Sequence, residues 1–305
     1  MTDQIKPDWI AVDWGTTNLR AFAMKKGAAI AEAVSDDGMG KLARDAFEPA
    51  LIKLITPWLA PHAQTPVIAC GMVGSRQGWF EAPYRTVPCL ALDPSALVTV
   101  PTTDPRITMR IVPGLRQNKP ADVMRGEETQ IAGALALTPG FDGVFCLPGT
   151  HSKWVHVSAG EVVSFQTFMT GEMFALLSNQ SVLRHGMAGG GWDDASFDQG
   201  LSDALSRPEK IGAFLFSLRA EGLLAGLAAP QARARLSGLL IGVELAAAKP
   251  YWLGQPIAII GADALSDTYA RALTAQGTTP SIIPAANTVL GGLSLAHKTM
   301  METAP

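Results

Sequence analysis

Three short apolar runs open the chain and predict a meander of three strands, over residues 9–14, 19–24 and 28–34. Apolar positions then recur at helical spacing over residues 41–59, and residues 67–70 again have the composition of a strand. Three strands, a helix and a further strand predict a mixed sheet within an α/β lobe.

A similar order of elements follows in the second half. Residues 122–138 have helical periodicity with Asp122 as the predicted N-cap, and residues 143–147 form an apolar strand. Residues 155–157 and 162–168 then read as the two arms of a hairpin. Both halves therefore place an apolar strand before a Gly-Thr turn and a second strand after it, which indicates an internal duplication with two related lobes.

The remainder of the chain is predicted to be mostly helical. Alanine, leucine and glycine recur there at the spacing of tightly packed helices. The predicted elements are helices over residues 170–184, 202–227 and 232–248, a strand over 256–260, a helix ending at Ala275 and a last helix over 287–301.

Length and composition restrict the class of protein. The 305 residues suffice for two cores of about 150 residues each. A net charge of -3 offers no basic surface for nucleic acid and no polybasic segment for a membrane, so small-molecule chemistry is favoured. Residues 1–8 lack the features of a secretory signal and no apolar run is a membrane span, which predicts a cytoplasmic protein. The oligomeric state is open, and a homodimer is among the states that the sequence allows.

The turn between the first two strands carries the clearest chemical signal. The first strand delivers Asp13 into Gly15, Thr16 and Thr17. A carboxylate beside small residues offers an anchor for Mg²⁺ and amides and hydroxyls that can approach phosphate oxygens. An ordinary hairpin turn is the alternative, since Asp, Gly and Thr are common in turns.

Two further junctions repeat this arrangement of a strand followed by small residues. One contains Gly149 and Thr150, and the other is the run Gly261, Ala262 and Asp263 before a predicted helix. The chain has neither a P-loop nor a Gly-x-Gly-x-x-Gly motif between strand and helix, which argues against the two commonest nucleotide folds.

Five segments, in this order along the chain, resemble those of the 2-dehydro-3-deoxygalactonokinase family, within the actin/hexokinase/Hsp70 sugar-kinase superfamily. They are residues 14–20, 71–79, 124–130, 147–154 and 168–173, of which the Pro-Gly-Thr-His-Ser-Lys-Trp run is the most specific.

The resemblance implies an α/β fold of two RNase H-like (actin-like ATPase) lobes that face a central cleft, each with a mixed five-stranded sheet. We place the N-terminal lobe at residues 1–122 and the C-terminal lobe at 123–286. A helix over residues 287–305 is expected to pack back on the first lobe.

The family's activity is ATP-dependent phosphorylation of 2-dehydro-3-deoxy-D-galactonate at O6, with Mg²⁺, in D-galactonate breakdown. The acceptor is not specified by the nucleotide loops, so another 2-keto-3-deoxy sugar acid or a polyol is an alternative substrate. A nucleotide-driven switch of the actin or Hsp70 kind is the alternative from a different class.

The resemblance gives the strand-to-turn junctions roles in phosphoryl transfer, which depends on positioning and charge stabilisation. Asp13 anchors the metal through waters, and Thr16 and Thr17 hold β- and γ-oxygens. The turn with Gly149 and Thr150 closes on the same phosphates, and the run 261–263 contacts the adenosine. Two further candidates follow the second turn: Lys153, which adds positive charge unless it is an ordinary solvated lysine, and His151, which contacts the nucleotide unless it only caps the turn.

Glu127 and Glu128 are the candidates for the base that orients the attacking hydroxyl. Extending the apolar face of the predicted helix backward through Ala134 and Ile131 reaches Glu127, which places Glu127 on the buried face and Glu128 to one side. Related sugar kinases have Gly-Asp at this place, so the longer Glu leaves the choice between the two open. The alternative is that both are ordinary solvated carboxylates in the first turn of the helix.

The substrate is an acid, so an arginine is expected to bind its carboxylate. Arg76 is the first candidate, with a surface ion pair as the alternative. The other candidate substrate residues are Asn18, Arg20, Ser75, Gln77, Thr170 and Glu172; N-capping alone would explain Thr170.

Overall fold

The computed structural model of the chain describes residues 5–302, which form two compact units. The first contains the chain up to Phe141, residues Ser158–Ser164 and the chain from Ala285 onward, and the second contains Asp142–Val157 and Phe165–Pro284. This division differs from the predicted boundary at 122/123. The first four residues, and the last three residues of the predicted helix 287–305, lie outside the described range.

Both units contain strands and helices. The strands are β1 (Trp9–Trp14), β2 (Leu19–Lys25), β3 (Ala28–Ser35), β4 (Thr65–Gly71), β5 (Arg85–Thr86), β6 (Cys89–Leu90), β7 (Val98–Val100), β8 (Ile107–Ile111), β9 (Leu115–Asn118), β10 (Ala121–Met124), β11 (Gly143–Leu147), β12 (Ser152–Ser158), β13 (Glu161–Phe168), β14 (Ile257–Gly261) and β15 (Ser281–Pro284). The helices are α1 (Phe47–Ile55), α2 (Glu127–Leu137), α3 (Thr170–Asn179), α4 (Asp194–Ser206), α5 (Ile211–Leu224), α6 (Ala229–Ala247), α7 (Lys249–Trp252), α8 (Asp263–Thr274) and α9 (Ala285–Glu302).

The main sheet of the first unit has the strand order β3-β2-β1-β4-β8-β7. Strand β1 is antiparallel to β2 and parallel to β4, and β4 is parallel to β8. The register pairs Asp13 with Arg20 on one side and with Cys70 on the other. A separate three-stranded sheet, β10-β9-β5, was not predicted.

The sheet of the second unit repeats this order as β15-β14-β11-β12-β13. Strand β11 is antiparallel to β12 and parallel to β14, as β1 is to β2 and β4. Its sixth strand, β6, pairs with the start of β13, a segment assigned to the first unit. The shared order supports the predicted duplication, but the predicted count of five strands is wrong, because the short strands β7 and β6 each add one.

Several predicted helices have different bounds. The predicted helix 122–138 opens as strand β10, and α2 begins only at Glu127 because Gly126, with φ of 111°, turns the chain between them. The predicted helix 202–227 is two helices, α4 and α5, separated at Pro208. The predicted helices 41–59 and 170–184 are shorter, as α1 and α3.

Helices α2 and α9 of the first unit cross at very short range. A Cβ added at Gly133 would lie 1.8 Å from the carbonyl oxygen of Thr288, and one added at Gly292 would lie 2.0 Å from that of Thr129. Glycine at both positions therefore permits backbone contact, and it fixes α2 against the C-terminal helix. No helix among residues 5–302 is long and apolar enough to cross a membrane.

Candidate functional site

The turn after β1 is held from behind and presents its side chains outward. The carbonyl oxygens of Gly15 and Thr16 accept hydrogen bonds from the amides of Met39 and Gly40, at 3.0 and 2.9 Å. The side chains of Thr16 and Thr17 are exposed. The backbone is thus fixed while the hydroxyls stay accessible, as a phosphate-binding turn requires.

Asp13 lies at the end of β1 with its carboxylate mostly buried. Its Oδ2 atom accepts a hydrogen bond from Nη2 of Arg20 at 2.7 Å. Burial raises the pKa of Asp13, and the Arg20 guanidinium opposes that rise. Arg20, predicted to reach the substrate, is engaged with this carboxylate, while Asn18 is exposed beside it.

The donor set around Asp13 fits Mg²⁺ bound together with a nucleotide. Within residues 5–302, no group of three or more His, Cys, Asp or Glu side chains is arranged to hold a metal ion. Mg²⁺ usually takes one or two carboxylates from the protein and completes its shell with phosphate oxygens and water. The Asp13 carboxylate, 20% exposed beside the predicted phosphate-binding turn, meets that requirement.

The two candidate bases differ in burial. Glu128 is fully buried, and its carboxylate accepts hydrogen bonds from the Gly126 amide at 2.7 Å and the Thr129 hydroxyl at 3.0 Å. Burial, together with the charge of Glu127, raises the pKa of Glu128 to about 7. Glu127 is only partly buried and accepts a hydrogen bond from the Arg125 amide at 3.0 Å.

The prediction that Glu127 occupies the buried face is therefore wrong. It assumed a helix that continues back to residue 122, whereas α2 begins at Glu127 and its buried face runs through Glu128, Ile131 and Ala132. Glu128 is the buried carboxylate of the pair.

The predicted sugar-binding loop follows β4. Ser75 is buried, and its hydroxyl has no hydrogen-bond partner within residues 5–302. Arg76 and Gln77 are exposed, and the carbonyl oxygen of Arg76 accepts a hydrogen bond from Arg44 at 2.6 Å. The Arg76 side chain is thus available to a ligand, and the hydroxyl beside it is unsatisfied.

Sequence reasoning missed a second arginine at this loop. Arg125 is buried, donates from Nη2 to the carbonyl oxygen of Ala82 at 2.8 Å and lies 4.3 Å from the centre of the Tyr84 ring. Its Nε and Nη1 atoms have no hydrogen-bond partner in the described part of the chain. A Cβ added at Gly74 would lie 2.9 Å from Nη1, which places this guanidinium against the sugar-binding loop.

In the second unit, the Gly149-Thr150 turn is joined to the start of α3. The carbonyl oxygen of Thr150 accepts a hydrogen bond from the Glu172 amide at 2.9 Å, and Nε2 of His151 lies 2.6 Å from Oε2 of Glu172. A Cβ added at Gly171 would lie 2.3 Å from the carbonyl oxygen of Gly149. His151 and Glu172 therefore pair with each other, which ties the turn to the helix.

Two further candidates of the second unit are buried. Lys153 lies on β12 and is 4% exposed, so the alternative of a solvated lysine is wrong. Thr170 is the first residue of α3, and its hydroxyl donates to the carboxylate of Glu244 on α6. The N-cap of α3 is Met169, so capping does not explain Thr170.

A cavity of about 920 Å³ lies within the second unit beside the Gly149-Thr150 turn. Its wall includes Thr170 and the start of α8 from Ala264 onward, directly after the predicted adenosine residues 261–263. Further lining residues are Phe174, Trp192, Leu240, Ile241, Leu265 and Tyr269. Pockets of this size with apolar walls and a few polar groups are typical of small-molecule sites.

Comparison with known proteins agrees with these features. A sequence profile described as 2-keto-3-deoxy-galactonokinase matches residues 13–296. A Rhizobium meliloti protein named "Probable 2-dehydro-3-deoxygalactonokinase" is 39% identical over 298 residues, 95% of this chain and 96% of its own length. The 2-dehydro-3-deoxygalactonokinase of Escherichia coli is 35% identical over 294 residues, 95% of this chain and 97% of its own length.

A solved structure is similar over the same extent. It is a crystal structure of a Sinorhizobium meliloti protein provisionally assigned as a 2-dehydro-3-deoxygalactonokinase, with a TM-score of 0.88, 37% identity and coverage of 96% of this chain and 99% of its own. The resemblance drawn from the five segments is confirmed, and the chain belongs to the 2-keto-3-deoxy-galactonokinase family.

Proposed function

We propose that this protein is an ATP-dependent kinase that phosphorylates 2-dehydro-3-deoxy-D-galactonate at O6, giving 2-dehydro-3-deoxy-6-phosphogalactonate and ADP in D-galactonate catabolism. The observation that carries the proposal is the match, over 95% of the chain, to an Escherichia coli protein named for this activity. The reaction needs phosphate donors, a metal anchor, a base and a cation for an acid, and candidates for each exist among the described residues.

The finer fold proposal is that both units are RNase H-like lobes of the actin-like ATPase type. The repeated strand order of the two six-stranded sheets supports it, since β1 and β11 each lie between an antiparallel second strand and a parallel fourth strand.

The phosphate-binding groups follow from the two turns. Asp13 would hold Mg²⁺, which would neutralise charge on the phosphates of bound ATP. Thr16 and Thr17 donate hydrogen bonds to β- and γ-oxygens, and Gly149 and Thr150 donate from the second unit. Fixed donors aimed at developing charge stabilise the transition state because they need no reorganisation during the reaction.

The acceptor hydroxyl is oriented by a carboxylate of the α2 start. Glu127 directly follows a glycine, as the Asp does in the Gly-Asp of related sugar kinases, and burial raises the pKa of Glu128 to about 7, near the value that suits a base at neutral pH. Replacing Glu127 with Gln is expected to lower kcat by about 10²-fold or more while sparing ATP binding. An unchanged rate would place the base elsewhere, with Glu128 as the next candidate.

Two arginines are candidates for the substrate carboxylate. Arg76 is exposed on the sugar-binding loop, and Arg125 is buried against the same loop with unsatisfied N–H groups. Unsatisfied N–H groups on a buried cation are costly, and an anionic ligand that accepts from Nε and Nη1 would offset that cost. We propose that Arg125 contributes to binding of the sugar acid together with Arg76.

A screen of acceptors tests the proposed function. The purified protein is incubated with MgATP and each acceptor in turn, and ADP release is followed spectrophotometrically. Turnover confined to 2-dehydro-3-deoxygalactonate is expected. Equal turnover of glycerol or xylulose supports the polyol alternative, and slow hydrolysis of ATP regardless of acceptor, with nucleotide-dependent polymers on sedimentation, supports the switch.

A further inference from the structure

A single carboxylate is buried in the middle of the second unit. Glu244 lies near the end of α6 and is 1% exposed, between the buried residues Ile241 and Leu245. An unsatisfied carboxylate in such surroundings would be strongly destabilising. Its hydrogen-bond partners therefore explain why a carboxylate is tolerated in a part of α6 whose neighbouring residues are apolar.

Side chains from three other elements donate hydrogen bonds to this carboxylate. Oε1 of Glu244 accepts from Nε1 of Trp154 at 2.8 Å, and Oε2 accepts from the hydroxyl of Tyr269 at 2.8 Å and from that of Thr170. Oε2 therefore has two donors, and the hydroxyls of Ser152 and Tyr269 are themselves 2.8 Å apart. Burial raises the pKa of Glu244, and the donors oppose that rise.

The donors belong to the parts of the chain that surround the cavity. Trp154 lies on β12, three residues after His151 in the Gly149-Thr150 turn, and Thr170 begins α3, whose Gly171 packs on that turn. Tyr269 lies on α8 and lines the cavity together with Thr150 and Thr170.

We propose that Glu244 is a positioning residue for the nucleotide. Its carboxylate holds the phosphate-binding turn, the start of α3 and the α8 wall of the cavity in one arrangement, without contacting the nucleotide. The inference rests on the proposed function, since it takes the cavity to bind the nucleoside of ATP. Fully satisfied buried networks fix a unique geometry because each partner is costly to leave unpaired.

Two variants perturb this hydrogen-bond network to different extents. Glu244→Gln preserves volume but removes the charge and one acceptor oxygen. Trp154→Phe leaves the carboxylate intact, removes the Nε1 donor and leaves part of the indole volume empty. Leu245→Ala is the matched control, because Leu245 is fully buried one position along the same helix and has no part in the network.

The experiment measures binding of MgADP by calorimetry, the steady-state KM for ATP and for the sugar acid, kcat and Tm. Hydrogen bonds to charged groups are the stronger ones, so Glu244→Gln is expected to raise the ADP Kd and the KM for ATP by about tenfold. Trp154→Phe raises both by a smaller factor, and neither variant changes the KM for the sugar acid. Leu245→Ala lowers Tm and leaves the KM for ATP unchanged.

The outcomes separate this inference from the proposed function. Wild-type protein that binds no ADP contradicts both. If the wild type binds ADP and both network variants bind it equally well, losing only Tm as Leu245→Ala does, Glu244 is a purely structural residue and the inference is overturned. Should Glu244→Gln fail to fold, the Trp154→Phe result decides in the same way.

Discussion

Glu128 makes stability depend on pH in a direction opposite to that of most surface carboxylates. Its carboxyl group is fully buried next to Glu127, and its pKa rises from an ordinary value of 4.5 to about 7. Between these values the native protein keeps a proton that the unfolded chain has lost. Raising the pH through this window therefore destabilises the native state.

The size of the effect follows from the two pKa values. Each pKa unit between the native and unfolded states corresponds to about 1.36 kcal/mol, so ionising Glu128 in the native state costs about 3 kcal/mol in total. Well below pH 4.5 the group is protonated in both states, and well above pH 7 it is ionised in both. Between pH 5 and 8.5, linkage predicts a loss of about 2.5 kcal/mol.

Urea denaturation of the wild type and of Glu128→Gln at a series of pH values measures this effect directly. Glutamine mimics the protonated acid, and other titrating groups cancel in the difference between the two proteins. The free energy of unfolding of Glu128→Gln minus that of the wild type is expected to rise by about 2.5 kcal/mol from pH 5 to pH 8.5. Glu127→Gln in the same series reduces the pKa of Glu128 and shrinks the change.

A difference that stays constant across this pH range would refute the reasoning. It would mean that Glu128 titrates as it does in the unfolded chain, so that its burial does not favour the protonated acid. Glu128 would then lose the perturbed pKa that makes it a candidate base.

Four other substitutions test separate parts of the account. Asp13→Asn is expected to lower kcat by about 10²-fold or more in a steady-state assay with MgATP, since it removes the charge of the proposed metal anchor; a kcat within twofold of wild type contradicts that role. Arg76→Gln and Arg125→Gln are each expected to raise the KM for the sugar acid by about tenfold with the KM for ATP unchanged. If a variant has the wild-type KM for the sugar acid, the arginine it replaces does not bind the carboxylate. Gly133→Ala is expected to reduce the free energy of unfolding by about 3 kcal/mol in urea, because a methyl group there would meet the Thr288 carbonyl at 1.8 Å, and a neutral result would show that the α2–α9 crossing relaxes readily.

Sequence patterns predicted the parts of the fold that depend on local chemistry. Strands β1, β2, β3 and β4 are apolar runs bounded by turns, and the Gly-Thr turn after β1 is positioned as expected. The hairpin of β12 and β13 turns at Ala159 and Gly160, which have φ of 50° and 80°, as a two-residue hairpin loop requires. Each of these features is written in a few consecutive residues.

Features that depend on distant partners could not be predicted in this way. Strands β5, β6 and β7 have two or three residues, too few for any periodicity, and they exist because neighbouring strands pair with them. The start of α2 depends on one glycine with positive φ, which reversed the predicted burial of Glu127 and Glu128.

The contacts of the buried polar side chains could not be predicted from the sequence either. Glu244 is the one acid of α6 and lies in its apolar C-terminal half, and only the fold reveals that Trp154, Thr170 and Tyr269 converge on it. Arg125 lies within residues 124–130, one of the segments that resemble the family. It becomes a candidate for substrate binding only because the structure buries it against the predicted sugar-binding loop. A homodimer remains a prediction that sedimentation can test.

The most direct measurement of the central claim is the identity of the product. Purified protein, MgATP and 2-dehydro-3-deoxygalactonate are incubated, and the mixture is followed by phosphorus and proton NMR, with Asp13→Asn as the matched control. The account predicts one ADP for each sugar phosphate and a phosphorus signal coupled to the protons on C6, with the variant far slower. A phosphate on another oxygen, or ADP formed with free phosphate and no sugar ester, would contradict it.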